Sequence, residues 1–223
     1  MPPSSLLVHP LLPLTAWPVP STVPRPTSPP SARMQPMNLT GGSDGFRQLG
    51  DGDLALRWPV EADAPALVAA IHASLAELQP WMTWASGDYD DNAALEWIRD
   101  EFVPGSESFV LLDRPTGAIV GAAGLKPLIE PDLFVELGYW VRTDMTGRGI
   151  ATRATRLLAR HAIETRGAQR VEMYISAENP ASCRVAEKAG ATHEGVLRAR
   201  LLLGGRHHDA HLYSVVAGDV VRA

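Results

Sequence analysis

The run Leu-Phe-Val-Glu-Leu-Gly-Tyr-Trp-Val at 133–141, followed after four residues by Thr-Gly-Arg-Gly-Ile-Ala at 146–151, decides how this chain folds. The first nine residues are almost wholly apolar, which predicts a strand buried on both faces. Beyond the glycines, Ile150, Ala154, Leu157, Leu158 and Ile163 recur on one side, which predicts a helix to about residue 166 capped by Gly167. A strand that feeds a helix through a glycine turn leaves unpaired backbone N–H groups pointing outward, and the helix dipole adds partial positive charge. Together they make an anion site. Arg148, Arg153, Arg156, Arg160 and Arg166 stand there against one acid, Glu164, in a chain whose formal net charge is -5. The local surplus of positive charge suits a pyrophosphate.

Working towards the N-terminus, a hairpin is predicted from strands at 109–112 and 119–125, joined across Asp113 to Gly117, whose Pro and Gly are turn formers. Before it come a helix over about 91–102, with Leu95, Ile98 and Phe102 on one stripe, and an aromatic loop at 78–85. A helix from about Pro65 carries Leu67, Val68, Ile71 and Leu75 on one side, and a short strand at 54–58 ends at Pro59. Downstream lie a strand at 171–175, a helix capped by Asn179, opened by Pro180 and closed by Gly190, and a closing hairpin around Gly204-Gly205.

The first 36 residues contrast with this pattern. They hold 11 of the 19 prolines and only two charged residues, Arg25 and Arg33. Such a composition predicts a disordered tail over 1–43 ahead of one domain at 44–223, with Met34 and Met37 as alternative starts. The apolar stretch at 6–17 is interrupted by Pro10 and Pro13 and lacks the basic start of a signal peptide. A single cysteine, Cys183, excludes an internal disulfide and a cysteine-based zinc cluster, which predicts a cytoplasmic setting. The acidic balance argues against a general nucleic-acid binder, and no run is long and apolar enough to predict a membrane helix.

The pieces Glu-Leu-Gly-Tyr-Trp-Val, Gly-Arg-Gly-Ile-Ala-Thr, Asn-Pro-Ala-Ser, Glu-Lys-Ala-Gly-Ala and Glu-Gly-Val-Leu-Arg occur in this order. In combination the chain resembles the Gcn-related N-acetyltransferase (GNAT) superfamily over about 54–213, and within it the Rim-type branch that acetylates ribosomal-protein N-termini. The resemblance implies an α/β (α+β) fold with a mixed, strongly twisted sheet whose central strands splay apart around coenzyme A. It also implies acetyl transfer from acetyl-coenzyme A to a primary amine, by a monomer or homodimer that needs no metal. The main chain of Trp140, Val141 and Arg142 is then expected along the pantetheine. Backbone N–H groups of Thr146, Gly147, Arg148, Gly149, Ile150, Ala151 and Thr152 are expected around the pyrophosphate, with Asn179 facing the pantetheine arm. One departure is visible: Asp144 stands three residues before the first glycine, where the family often has Gln or Arg.

Acetyl transfer needs a neutral amine, donors for the thioester oxygen and a proton for the departing thiolate. Backbone N–H groups near Trp140 and Val141 are candidate oxyanion donors, provided the strand bulges there as in the family. Ser182, in the first turn of its helix where the family places a hydroxyl, is the candidate acid, although a serine is also ordinary in a first turn. Glu136 interrupts an apolar strand on the face of Trp140 and is the candidate base; the alternative is a solvent-facing strand residue. The Glu that some Rim-type enzymes carry downstream corresponds here to Leu201, so a non-catalytic acetyl-coenzyme A sensor stays open beside the enzyme. His207, His208 and His211, with only Asp209 as a neighbouring acid, read as strand residues rather than a metal site. Trp81 and Trp84 in the aromatic loop are candidates for the acceptor pocket, with core packing as the alternative.

Overall fold

A computed structural model describes residues 48–99 and 105–220, all within one compact unit, Phe46–Ala223. Eight strands form one mixed sheet: β1 Gln48–Asp51, β2 Leu54–Arg57, β3 Glu107–Asp113, β4 Ala118–Leu125, β5 Phe134–Val141, β6 Arg170–Ser176, β7 Thr192–Leu203 and β8 Arg206–Val216. Their spatial order is β1-β2-β3-β4-β5-β6-β8-β7, and every neighbouring pair is antiparallel except β5 with β6. The expected mixed sheet is present.

Helices α1 Ala64–His72, α2 Leu75–Leu78, α3 Asp91–Ile98, α4 Ile150–Glu164, α5 Pro180–Ala189 and α6 Ala217–Val220 complete the fold. Strand alternation divides β5 between two cores. Val135 and Leu137 pack with Ile150, Ala154 and Leu158 of α4, whereas Trp140 packs with Leu67 and Ile71 of α1. The helices thus lie on opposite sides of the sheet, and a strand read as doubly buried is covered on both faces over most of its length. Only Gly138 on it is exposed. The close approach of β4 to β5 requires glycine at position 121, where a Cβ would come within 2.2 Å of the Trp140 carbonyl oxygen.

The sequence-based elements recur with shifted ends. The helix expected to reach 102 is seen as Asp91–Ile98, and Phe102 lies outside the described residues, as does the expected tail at 1–43. Trp58 falls just past the end of β2 and is exposed. The strand β1 had no sequence signal, because four residues including Gly50 cannot show alternation, and it exists by pairing with β2.

Candidate functional site

At the end of β5 the chain makes a short 3-10 turn, Thr143–Met145, and crosses two glycines into α4. Gly147 (φ 76°) and Gly149 (φ 74°) are both left-handed, a conformation that any other residue adopts at a cost. Gly149 is the N-cap and supplies no side-chain oxygen, so the first N–H groups of α4 have no capping side chain. The turn is braced from behind, where Ser74 Oγ accepts from Thr143 N at 3.1 Å and Thr143 Oγ1 donates to Glu77 at 3.0 Å.

The basic face of α4 is largely committed to the fold. Arg153 binds Asp53 at 2.5 Å, Arg156 donates to the Lys188 carbonyl, and Arg166 donates to the carbonyls of Gly105 and Lys126. Arg142 makes a two-pronged pair with Asp144 at 2.6 and 2.9 Å, and that bond holds the Asp144 carboxyl below its usual range. The departure at Asp144 therefore has a consequence: it occupies Arg142, which was expected beside the cofactor. Among the described residues Arg148 and Arg160 have no carboxylate within ion-pair distance. Main-chain N–H groups, more than side-chain charge, give the loop its polarity.

The sheet opens at its centre. Strands β5 and β6 pair only from Phe134↔Arg170 to Glu136↔Glu172, although β5 runs to Val141 and β6 to Ser176. Beyond Glu136 the facing edges are unpaired, leaving a wedge. Residues of β5 alternate in the direction of their main-chain groups. The Glu136 carbonyl accepts from Lys126 N and Arg142 N donates to the Val120 carbonyl, so residues 136, 138, 140 and 142 turn towards β4. Leu137, Tyr139 and Val141 turn towards the wedge. This corrects the expectation for Trp140 and Arg142, whose main chains belong to the β4 side; those facing the wedge are Tyr139 and Val141. The expected bulge in β5 is also absent, since β4 and β5 pair in unbroken register; the irregularity lies one pairing away, between β3 and β4 at Leu111/Leu112.

Across the wedge stands α5. Asn179 Oδ1 accepts from Ser182 N at 3.1 Å, so its side chain is a helix cap. Ser182 Oγ lies 2.8 Å from Tyr139 Oη, a hydrogen bond that reaches from α5 to β5. Burial pushes the Tyr139 phenol up to about 12, so it keeps its proton at neutral pH. Sequence reading missed Tyr139. Its signal was present, a tyrosine in an apolar strand facing the helix that carries Ser182, but only the fold sets the two hydroxyls together.

On the other face of β5, Glu136 is half-buried and one carboxylate oxygen, Oε2, lies 2.7 Å from Lys126 Nζ. Its lateral neighbour is Glu172, buried on β6, which accepts from Arg170 at 2.6 Å and from the Tyr174 hydroxyl at 2.5 Å. The space beside Glu136 is open, because a Cβ at Gly138 would meet nothing within 4 Å. Trp84 stacks edge-on to Trp140 at 6.3 Å and packs against the α1-side core, so the packing alternative describes it; Trp81 belongs to neither core cluster. Leu201 is paired in register with the buried His208, whose Nδ1 lies 3.5 Å from Glu178. Among the described residues no group of three or more His, Cys, Asp or Glu side chains converges as a metal site.

A family model for the acetyltransferase (GNAT) domain matches residues 53–192. The putative ribosomal N-acetyltransferase YdaF of Bacillus subtilis is 31% identical over 160 residues, covering 69% of this chain and 86% of that protein. Among solved structures, Mycobacterium smegmatis RimJ in complex with CoA-disulfide superposes with a TM-score of 0.68 at 26% identity, over 78% of this chain and 87% of that one. The microcin C7 self-immunity acetyltransferase MccE shares the fold at a TM-score of 0.68 and 21% identity, over 74% of this chain and 93% of that one. With the glycine loop ahead of α4 and the wedge between β5 and β6 both in place, the chain belongs to the GNAT acetyltransferases, in their Rim-type branch, and is an acetyl-coenzyme A-dependent N-acetyltransferase.

Proposed function

We propose that the wedge takes the thioester arm of acetyl-coenzyme A and that the acceptor is the N-terminal amine of a peptide or protein, approaching from the Glu136 face. The observation that carries this is the end of parallel pairing at Glu136↔Glu172, which leaves the main chain of Tyr139 and Val141 free to pair with the pantetheine amides as an added strand. The N–H groups from Thr146 to Thr152 would hold the pyrophosphate, with Arg148 beside them. YdaF, named for ribosomal acetylation, supports the choice of an N-terminus over a small amine.

In the reaction the amine nitrogen attacks the thioester carbonyl, the C–S bond breaks, and the thiolate takes a proton from Ser182 Oγ, which regains one from solvent as Glu136 gives up the amine proton to it. Tyr139, protonated at neutral pH, donates to Ser182 Oγ and so directs the serine proton away from itself and towards the sulfur. Glu136 receives the amine proton on Oε1, its other oxygen being held by Lys126. A cytoplasmic setting and independence from metal, nucleic acid and membrane accord with one cysteine and an acidic composition. No helix among the described residues is long and apolar enough to cross a membrane.

The test is thiol release from acetyl-coenzyme A with a panel of short peptides and small amines. Amine-dependent release that is highest for free peptide N-termini is expected. Saturable cofactor binding without release for any amine would instead support the non-catalytic sensor.

A further inference from the structure

The β7–β8 hairpin carries an irregularity that the reaction described above does not use. Leu197 pairs with Ala210 and Leu201 with His208, so four steps along β7 oppose two along β8, and two extra residues are accommodated at 198–200. Ala199 sits there at φ 50°, left-handed without being glycine, a conformation that persists only where its surroundings enforce it. Here the enforcement is visible. Asp209 Oδ1 accepts from Ala199 N at 2.8 Å, and His207 Nδ1 lies 3.2 Å from the Ala199 carbonyl. The next residue, Arg200, is thereby laid over the ring of Tyr174, its Cζ 4.4 Å from the centroid.

Tyr174 alternates with Met173 and Ile175, which face the α4 core, so it shares the opposite face with Glu172 and, across the register, Glu136. It lies two residues past the point where β5 and β6 part, on the wall of the wedge. Its hydroxyl is fixed on Glu172, and Arg200 stacks on its ring with no carboxylate within ion-pair distance among the described residues. A guanidinium carries five N–H donors; Arg200 also hydrogen-bonds Tyr174, and the donors that remain match a carboxylate.

We infer that Arg200 binds a carboxylate of the acceptor, and that the preferred acceptors are peptides with an acidic side chain at the second or third position. The floor of this face carries Glu136 and Glu172 and its rim carries Arg200, which orients an amine inward and a carboxylate outward. Along β6, Tyr174 under Arg200 lies roughly 7 Å from Glu172, on the scale of the reach of a second or third peptide residue from its N-terminus. The inference rests on the acceptor approaching from the Glu136 face.

The experiment compares Ala-Glu-Glu-Ala-amide with Ala-Gln-Gln-Ala-amide in the parent and in Arg200→Ala and Arg200→Lys. The parent should favour the acidic peptide by about tenfold or more in kcat/KM, through KM. Arg200→Ala should bring that ratio near one, and Arg200→Lys should restore part of it. Asp209→Ala, which frees Ala199 N, should lower the ratio as well. Equal kcat/KM for the two peptides in the parent, or an unchanged ratio in Arg200→Ala, would overturn the Arg200 assignment while leaving acetyl transfer standing. Turnover of neither peptide, with acetyl-coenzyme A bound, would overturn the peptide-acceptor reading and this inference with it.

Discussion

The two ends of the wedge are built from different materials. At the α4 end the working groups are main-chain N–H donors, placed by two left-handed glycines, while most nearby arginines brace the fold. At the β6–β8 end they are side chains, with Glu136, Glu172, Tyr174 and Arg200 contributed by three strands distant in sequence. A main-chain site depends on φ angles and tolerates side-chain change elsewhere, whereas a side-chain site is lost one residue at a time. In the proposed reading the cofactor belongs to the first kind and the acceptor to the second.

The largest expected effects bear directly on that division. Gly149→Val forces a β-branched residue into φ 74°, costing about 1–2 kcal/mol, and crowds the phosphate approach, so acetyl-coenzyme A affinity measured by calorimetry should fall by roughly 100-fold. Affinity equal to the parent would show that the cofactor does not sit on this loop. Glu136→Gln should lower kcat by about 10²-fold with little change in cofactor affinity. Amines already neutral at the assay pH should recover part of the loss, and parental turnover would move the base elsewhere, with the buried His208 as the next candidate.

A smaller effect is expected from Tyr139→Phe, which keeps the ring and removes the hydroxyl that meets Ser182. Its kcat should fall by about tenfold, and Ser182→Ala combined with it should cost little more than Ser182→Ala alone, because the two act as one unit. Additive losses would separate them. The acceptor-side strands should also show a pH signature of their own. Hydrogen bonds from Arg170 and then Ser214 hold Glu194 down at about 2, so its contribution is full above the ordinary value near 4.5 and is lost as pH falls from there towards 2. Melting temperature scanned over that window should decline less steeply in Glu194→Gln than in the parent. The smallest effect is expected at the N-terminus, where a chain shortened to begin at Asp44 should melt within about 2 °C of the full chain; a drop of several degrees would give the proline-rich segment a structural part.

Much of this division could be read from the residues. The strand at 133–141, its glycine turn and helix α4 were legible because each depends on local spacing, and together they imply the wedge through the family resemblance. Asn179 and Gly190 marked the limits of α5 for the same reason. What stayed hidden depends on register. Whether Trp140 or Tyr139 turns its main chain to the wedge follows from which carbonyl Lys126 meets, a pairing between strands that no periodicity encodes. Nor does spacing place Arg200 over Tyr174, since that requires two extra residues in β7 and a strained alanine held from the opposite strand. The sequence shows five arginines on α4 and at its two ends, but not that three of them are engaged by Asp53, Lys188, Gly105 and Lys126.

The pair between Arg142 and Asp144 bears on how the protein meets changing ionic strength. A phosphate gripped by mobile cationic side chains must compete with dissolved salt for each of them, and its hold weakens as ions screen the pair. Here one such cation is already neutralised two residues along the chain, and the oriented peptide dipoles of α4 carry no counter-ion to displace. With the pyrophosphate on this loop, as proposed, the affinity for acetyl-coenzyme A should fall less steeply with salt than for a site built on mobile cations.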